Sequence, residues 1–432
     1  MKPESALSDF ERATLPNALR ILVAPDRSTS FVAVAVVYDV GFRSEPEGRT
    51  GFAHLFEHLM FQGSAHVAKI EHMRLLQGAG GVLNGHTRSD ITAYYEALPS
   101  GGLELALWLE ADRMGALALN EENLRNQISV VEEEIKVNVL NQPYGGFPWI
   151  PLPDLAFDTY PNAHNGYGDF AHLEQATLDD AADFYHRYYS PSNAVLVVAG
   201  DCDAGNVVEL ADRHFGRIPK RPAPHHASFA EPRLTRPRRK VMKDPLIPQP
   251  AFAAGYRVPD PVSRLRDYVA YDVLASVLSD GDASRLRSRL VHRDRTVTDL
   301  ACMIGLLGDD TFTMRDPVLF QIIMFHTGAA DTDALLSVVD EELERLASRG
   351  PDADELARVS ASASAAHWRG LDPVLSRALS LAGAEVIHGR AELVGELPGA
   401  FAAVGPEAVA AAAADLLSQH RATLELRPAG RS

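Results

Sequence analysis

The sequence predicts an α+β fold with two similar α/β-sandwich domains, each a mixed sheet covered by helices. The chain has 432 residues, which is more than one domain of ordinary size needs. Apolar strand-like runs alternate with amphipathic helical patterns in both halves. A segment rich in proline and arginine divides the halves. We therefore expect an N-terminal domain over residues 1–216, a linker over 217–240 and a C-terminal domain over 241–432.

The first half is predicted to begin and end with strands. Residues 19–37 read as two strands around a polar turn, and residues 194–199 as a buried strand closed by Gly200 and Asp201. Helical patterns between these strands lie around residues 51–61, 104–115, 121–140 and 177–187.

The second half repeats this mixture. Strand-like runs lie at residues 250–256 and 319–325, and the terminal ATLELRP segment resembles the closing strand of the first half. Amphipathic helices are expected around residues 265–279, 332–348 and 352–368. The two halves therefore share a plan.

Composition and charge exclude several classes of protein. With 46% hydrophobic and 23% charged residues, the chain is expected to fold rather than remain disordered. A formal net charge of −17 argues against binding to nucleic acid or to an anionic membrane. The most apolar early run, residues 31–38, is too short to span a membrane, and the N-terminus shows no signal-peptide pattern. We expect a cytoplasmic location.

The cysteines limit the kinds of metal site. Cys202 and Cys302 lie in opposite halves and have no CxxC spacing, so neither a disulfide framework nor a thiolate cluster is expected. Any metal site must therefore use histidine and carboxylate ligands.

The segment TGFAHLFEHLM at residues 50–60 has the pattern of a metal-binding helix. We expect Thr50 to be its N-cap. His54 and His58 are four residues apart, so both imidazoles project from one face and can share a metal ion. Glu57 lies beside them as a general base that can take a proton from water at the metal. The pattern H-x-x-E-H is the inverted zinc-peptidase motif, and the alternative is two surface histidines beside an acid.

A catalytic zinc needs a third protein ligand, and the candidates lie in the helix NLRNQISVVEEEIKVNV. The glutamates at positions 132–134 point about 100° apart, so only one of them can face the site. Glu134 falls at the edge of the apolar stripe and is the candidate, whereas Glu132 and Glu133 are expected to be solvated. The core-facing stripe consists of Leu124, Ile128, Val131 and Ile135.

These segments resemble the pitrilysin/insulysin family of zinc metallopeptidases, with greatest similarity to its short bacterial members and to the mitochondrial processing peptidase catalytic subunit. The resemblance runs through nearly all of residues 12–201 in order. A weaker similarity lies in the second half, at DASRLRSRLVHRDRTV. It is carried by LPNALRILVAPD, VGFRSEPEGRTGFAHLFEHLMFQGS, GAGGVLNGHTRSDITAYYEALP, NQISVVEEEIKVNVLNQPYG and FYHRYYSPSNAVLVVAGD.

The resemblance implies one Zn²⁺ per chain and two domains that form half of a clamshell. It implies that His54, His58 and Glu134 bind the zinc and that Glu57 is the general base. The family often carries a supporting acid where this chain has Gln127, so the chain departs from the family pattern at that position.

Asn84 and Gly85, within GGVLNGHT, match the family position on an edge strand that holds an extended peptide substrate. The alternative for this segment is a hairpin turn, because Gly-Gly and Asn-Gly are turn signals. His86 is expected to be structural.

The C-terminal half lacks a pair of residues that the resemblance leads us to expect. Single-chain family members supply an Arg and a Tyr from this half to the substrate carbonyl and the developing oxyanion. Val291 and Thr298 stand at those positions here, with Arg293 and Arg295 nearby; Arg293 is a possible supporting residue. The resemblance therefore implies a heterodimer with a homologous subunit that supplies the Arg/Tyr pair, although a homodimer is possible.

The sequence thus favours the zinc-bearing subunit of a two-subunit endopeptidase that hydrolyses peptides or unfolded polypeptide segments. The first alternative is a non-catalytic core or docking subunit of a peptidase complex, which would keep the fold but bind no stoichiometric zinc. The second is a metal-dependent hydrolase of small molecules, which would need a closed pocket in place of an open edge strand. No nucleic-acid or membrane partner is expected.

Overall fold

A computed structural model describes residues 10–225, 228–306, 311–315 and 317–429 of the chain. The described residues form two compact units. The first contains residues 10–133, 166–225 and 367–396, and the second contains 134–165, 228–366 and 397–429.

The first unit is built on a six-stranded mixed sheet in the order β1-β2-β6-β3-β5-β4. Strands β2 and β6 are parallel, and the other neighbours are antiparallel. The central strands β3 and β6 are buried along almost their whole length, which shows that both faces of the sheet are covered. The strands are β1 Glu11–Thr14, β2 Arg20–Pro25, β3 Phe31–Tyr38, β4 Val82–Thr87, β5 Thr92–Pro99 and β6 Ala194–Gly200.

The second unit contains a five-stranded sheet in the order β7-β11-β8-β10-β9. Strand β11 is parallel to β7 and antiparallel to β8, just as β6 is parallel to β2 and antiparallel to β3. The two sheets therefore share an arrangement of five strands, and the two domains have the similar plan that the sequence predicted. The strands are β7 Arg238–Asp244, β8 Ala251–Val258, β9 Val297–Ile304, β10 Val318–His326 and β11 Ala422–Pro428.

Helices cover both sheets, which confirms the predicted fold class. The helix predicted over residues 121–140 ends its regular α-helical part at Ile135 and continues as a π-helix, Lys136–Leu140. A second π-helix spans Arg287–Arg293. The α-helices are α1 Phe52–Leu59, α2 Glu71–Gly78, α3 Leu103–Gly115, α4 Glu121–Ile135, α5 Pro151–Ala156, α6 Tyr160–Ala163, α7 Phe170–Glu174, α8 Leu178–Tyr188, α9 Ala204–Phe215, α10 Leu265–Ser279, α11 Thr332–Arg349, α12 Ala353–Leu371, α13 Val374–His388, α14 Leu393–Ala402 and α15 Pro406–Leu417.

Two segments make the compact units differ from the linear division 1–216, 217–240 and 241–432. Helix α5 packs against β7, β8 and β11, so its segment belongs to the second sheet. Helix α13 packs across β3 and β6, so its segment belongs to the first. The proline-rich segment also ends earlier than expected, because β7 begins at Arg238. Such long-range packing leaves no local pattern in the sequence.

Within the described residues, no single helix has both the length and the apolar character of a membrane span. One bent pair, Leu393–Ala402 with Pro406–Leu417, meets that test jointly.

Candidate metal centre

A buried carboxylate fixes the start of the helix that carries the H-x-x-E-H motif. The oxygens of Glu45 accept hydrogen bonds from the backbone N–H groups of Gly51 at 2.9 Å and Ala53 at 2.8 Å. An acid at this position accepts hydrogen bonds from first-turn amides that have no acceptor within the helix, and its charge complements the helix dipole. The expectation that Thr50 caps the helix is wrong, because Gly51 is the N-cap, at φ 87°, and the Thr50 hydroxyl accepts a hydrogen bond from the N–H of Asp169.

The structure brings His54, His58 and Glu134 together. The two imidazoles lie edge-on, with ring centroids 5.0 Å apart and an interplanar angle of 80°. Helix α4 adds Glu134 from its last turn, and each residue offers a ligand atom within 4.8 Å of the other two. This is the group of three that the sequence singled out.

The chemistry and spacing of this group fit zinc. Zinc takes imidazole nitrogen and carboxylate oxygen at about 2.0–2.2 Å, which places neighbouring ligand atoms of a tetrahedral site roughly 3.3–3.5 Å apart. The ligand atoms of this group lie within 4.8 Å of one another, so they would move closer together on binding an ion. Three protein ligands leave a fourth position open, as in catalytic rather than structural zinc sites.

The neighbouring glutamates of α4 do not join this group. Glu133 is exposed, as expected. Glu132 is half-buried, and its Oε1 atom is buried without a hydrogen-bond partner among the described residues. The prediction that Glu132 is solvated therefore holds only in part, because one of its two carboxylate oxygens is buried.

Glu57, on α1, lies against the edge strand β4. Its Oε2 atom accepts a hydrogen bond from the Thr87 hydroxyl at 2.8 Å. A Cβ atom on Gly85 would lie 3.2 Å from Cγ of Glu57, so the absent side chain lets the strand approach the acid closely. A pocket of about 250 Å³ opens beside these groups and is lined by Glu57, His58, Phe61, Gln62, Met73, Leu83 and Asn84.

Asn84 lies on a strand and not in a hairpin turn. Strand β4 pairs with β5 and ends the sheet order among the described strands, so its other side is an edge. The Asn84 side chain is exposed, and its Oδ1 accepts a hydrogen bond from the N–H of Gly85 at 2.9 Å. His86 packs against Tyr95, and burial together with Arg88 lowers the pKa of His86 to about 4. His86 is not part of the metal-ligand group.

The remaining predicted site residues have local partners. Gln127 is buried on α4, and its amide donates a hydrogen bond to Asn126 at 2.9 Å. Arg293 is exposed and forms an ion pair with Asp294 at 2.8 Å. The Thr298 hydroxyl donates to the carbonyl of Phe325 at 3.0 Å and accepts from the Gln249 amide at 2.8 Å.

A buried charged cluster on α3 and β5 was not predicted. The Arg113 guanidinium lies 4.9 Å from the ring centroid of Phe61 and 4.5 Å from that of Tyr94, and it donates from Nε to Glu110 at 3.0 Å. Glu96 on β5 lies beside Glu110; burial and the Glu110 charge hold the pKa of Glu96 well above its usual range. The only sequence signal was the inward position of Glu96, two residues after Tyr94 on an alternating strand.

Tyr167 was also missed, and its ring contacts a member of the metal-ligand group. Its centroid lies 5.6 Å from that of His54, at an interplanar angle of 85°. Tyr167 lies in an irregular segment far from the motif in sequence, so no periodicity pointed to it.

Comparison with known families gives two matches. The model described as Insulinase (Peptidase family M16) matches residues 20–144, and the model described as Peptidase M16 inactive domain matches residues 175–362.

Similar proteins and structures agree with these matches. The zinc protease PqqE of Helicobacter pylori is 32% identical over 301 residues, which are 68% of this chain and 66% of that protein. The mitochondrial-processing peptidase subunit beta of Saccharomyces cerevisiae is 25% identical over 220 residues, 51% of this chain and 47% of that one. A crystal structure of a protease from Helicobacter pylori has a TM-score of 0.88 and 26% identity, covering 97% of this chain and 99% of that one.

Proposed function

Because the chain belongs to the insulinase, or M16, family of peptidases, we propose that it is a zinc-dependent endopeptidase acting on peptides or unfolded polypeptide segments. The observation that carries this proposal is the grouping of His54, His58 and Glu134 within 4.8 Å, with Glu57 one residue from His58.

Three side chains from two helices would hold the metal. His54 and His58 would supply imidazole nitrogens from α1, and Glu134 would supply a carboxylate oxygen from α4. Zinc bound there would supply Lewis acidity for the scissile carbonyl and for water. With one carboxylate among its three protein ligands, bound Zn²⁺ would keep a positive charge that favours the negative charge developing on oxygen.

Glu57 moves the proton. Its carboxylate takes a proton from the attacking water and later gives it to the leaving amine. The Thr87 hydroxyl fixes Oε2 of this carboxylate, so the acid is oriented before substrate arrives.

Strand β4 positions the substrate. A peptide that adds to its edge gains backbone hydrogen bonds, and Asn84 and Gly85 lie on the same strand as Thr87. The neighbouring pocket takes a substrate side chain, and Phe61, Met73 and Leu83 make it partly apolar.

The proposed enzyme works with a second, homologous half-chain. M16 proteases act on peptides, and some work as paired half-chains. In this chain Val291 and Thr298 occupy the positions of the expected Arg/Tyr pair, and Arg293 is paired with Asp294. We propose that a partner subunit supplies the missing donors and that a second copy of this chain is the alternative partner.

Cleavage of an unfolded polypeptide by the wild type and by Glu57→Gln tests the proposal. The wild type, mixed with a homologous half-chain, is expected to cleave it, whereas Glu57→Gln in the same mixture keeps its zinc and loses turnover. Full turnover by Glu57→Gln would show that another group is the base. A zinc-free wild type with no activity in the mixture would favour the non-catalytic core subunit.

A further inference from the structure

A glycine-rich loop, residues 166–169, packs tightly against the start of α1. Gly168 has φ +91°, and a Cβ atom there would lie 2.7 Å from the carbonyl oxygen of Thr50 and from Cα of Gly51. A Cβ atom on Gly166 would lie 2.2 Å from the Phe42 ring. These separations are shorter than any real contact, so only glycines allow this packing.

Side-chain hydrogen bonds hold the loop in place. The Thr50 hydroxyl accepts from the N–H of Asp169 at 2.8 Å and is 2.9 Å from Nδ1 of His172. Thr50 directly precedes the N-cap of α1, so the loop and the first turn of the helix are joined.

The residue between the two glycines is Tyr167, and this packing sets where its ring lies. The ring meets the His54 imidazole edge-on, with centroids 5.6 Å apart and an interplanar angle of 85°. His58 meets the same imidazole at 5.0 Å and 80°. His54 is only 8% exposed, and its imidazole meets both of these rings edge-on.

We propose that Tyr167 is a positioning residue that holds the His54 imidazole in its metal-binding orientation. Rotation of an imidazole about χ2 is only weakly restricted, so an unsupported ligand must be ordered when the metal binds. The Tyr167 ring removes that freedom beforehand, as supporting residues around metal ligands do. The aromatic ring does this, and the hydroxyl is not required. The inference rests on the proposed function, because it takes His54 as a zinc ligand.

Zinc affinity, measured by competition with a chromophoric chelator, tests the proposal without reference to activity. Tyr167→Ala is expected to weaken zinc binding about tenfold, whereas Tyr167→Phe keeps wild-type affinity. Trp368→Ala is the matched control. Trp368 meets His367 edge-on at 5.5 Å and 75°, and His367 is not in the metal-ligand group. Wild-type affinity is expected for this variant.

Two results would overturn the positioning role. One is a folded Tyr167→Ala protein, shown by an unchanged thermal transition, that binds zinc as tightly as the wild type. The other is a tenfold loss in Tyr167→Phe, which decides the question even if Tyr167→Ala does not fold. A wild type that binds no zinc would instead contradict the proposed function.

Discussion

The Thr87 hydroxyl donates a hydrogen bond to Oε2 of Glu57 at 2.8 Å. This bond joins the helix that carries the proposed base to the edge strand proposed to bind the substrate. Gly85 reinforces the link, because the strand backbone comes close to Cγ of Glu57 there. The orientation of the acid is therefore coupled to the position of strand β4.

Removing the Thr87 hydroxyl should slow catalysis without removing the metal. Thr87→Val keeps the side-chain shape but loses the donor, and a hydrogen bond to a charged group contributes about 1.5 kcal/mol or more, which corresponds to at least about tenfold in kcat. Steady-state kinetics and zinc content measure this effect. Thr87→Ser keeps the hydroxyl and should retain most of the activity; equal kcat in Thr87→Val and the wild type would show that the bond does not orient Glu57.

A side chain at Gly85 should displace the same acid. The Cβ atom of Gly85→Ala would lie 3.2 Å from Cγ of Glu57 and 3.3 Å from the carbonyl oxygen of Ala93, so either the strand or the acid must shift by a few tenths of an ångström. We expect kcat to fall several-fold with zinc content unchanged. Gly101→Ala is the control, because no atom lies within 4 Å of its added Cβ. Unchanged kcat in Gly85→Ala would mean that the strand yields without moving Glu57.

Glu45 should stabilise both the fold and the metal site. Glu45→Ala leaves the N–H groups of Gly51 and Ala53 without their acceptor and should lower the free energy of unfolding by about 1–2 kcal/mol. Zinc affinity should fall as well, because His54 lies in the first turn of the helix. Chemical denaturation and chelator competition measure the two effects. Glu45→Gln keeps an acceptor and should lose less; equal losses in both variants would show that the negative charge matters more than the hydrogen bonds.

The buried cluster predicts a pH-dependent difference in stability. Glu96 faces Glu110 and Arg113 from α3, and burial together with the Glu110 charge holds the pKa of Glu96 well above its usual range in the folded state. The unfolded chain ionises this group above about pH 4. The folded state then binds more protons than the unfolded state, so Glu96 makes the wild type less stable as pH rises.

Glu96→Gln removes this titration and should therefore gain stability relative to the wild type as the pH rises above about 4. Urea denaturation at a series of pH values measures the difference, and a difference that does not change with pH would contradict the raised pKa of Glu96. Glu110→Gln is the contrasting variant. It leaves the Arg113 guanidinium, which is 1% exposed, without its Glu110 partner and should cost about 3–5 kcal/mol near neutral pH.

The sequence predicted the metal-ligand group because helical geometry is local. A spacing of four residues places His54 and His58 on one face, and the apolar stripe of α4 selects Glu134 from three consecutive acids. The mixed sheets and most strands were likewise predictable from runs of apolar residues. The role of Asn84 at the edge of β4 came from resemblance rather than from spacing.

Contacts between distant segments could not be predicted in this way. Glu45 accepts the first-turn hydrogen bonds that Thr50 was predicted to accept. Gly51, at φ 87°, is the N-cap and has no side chain to accept them. Tyr167 reaches His54 through tertiary packing, and no residue near it in sequence marks that contact. The packing of α5 on the second sheet and of α13 on the first is likewise a contact between segments far apart in the sequence. The cytoplasmic location stays a prediction.

The zinc content of the purified chain tests the central claim most directly. Elemental analysis after reconstitution should find about one zinc per chain in the wild type and in Glu57→Gln, and far less in Glu134→Gln. Glu133→Gln, at the exposed neighbouring position of α4, should bind zinc like the wild type. A wild type without zinc, or equal zinc in Glu134→Gln and the wild type, would contradict the assignment of His54, His58 and Glu134 as the metal site.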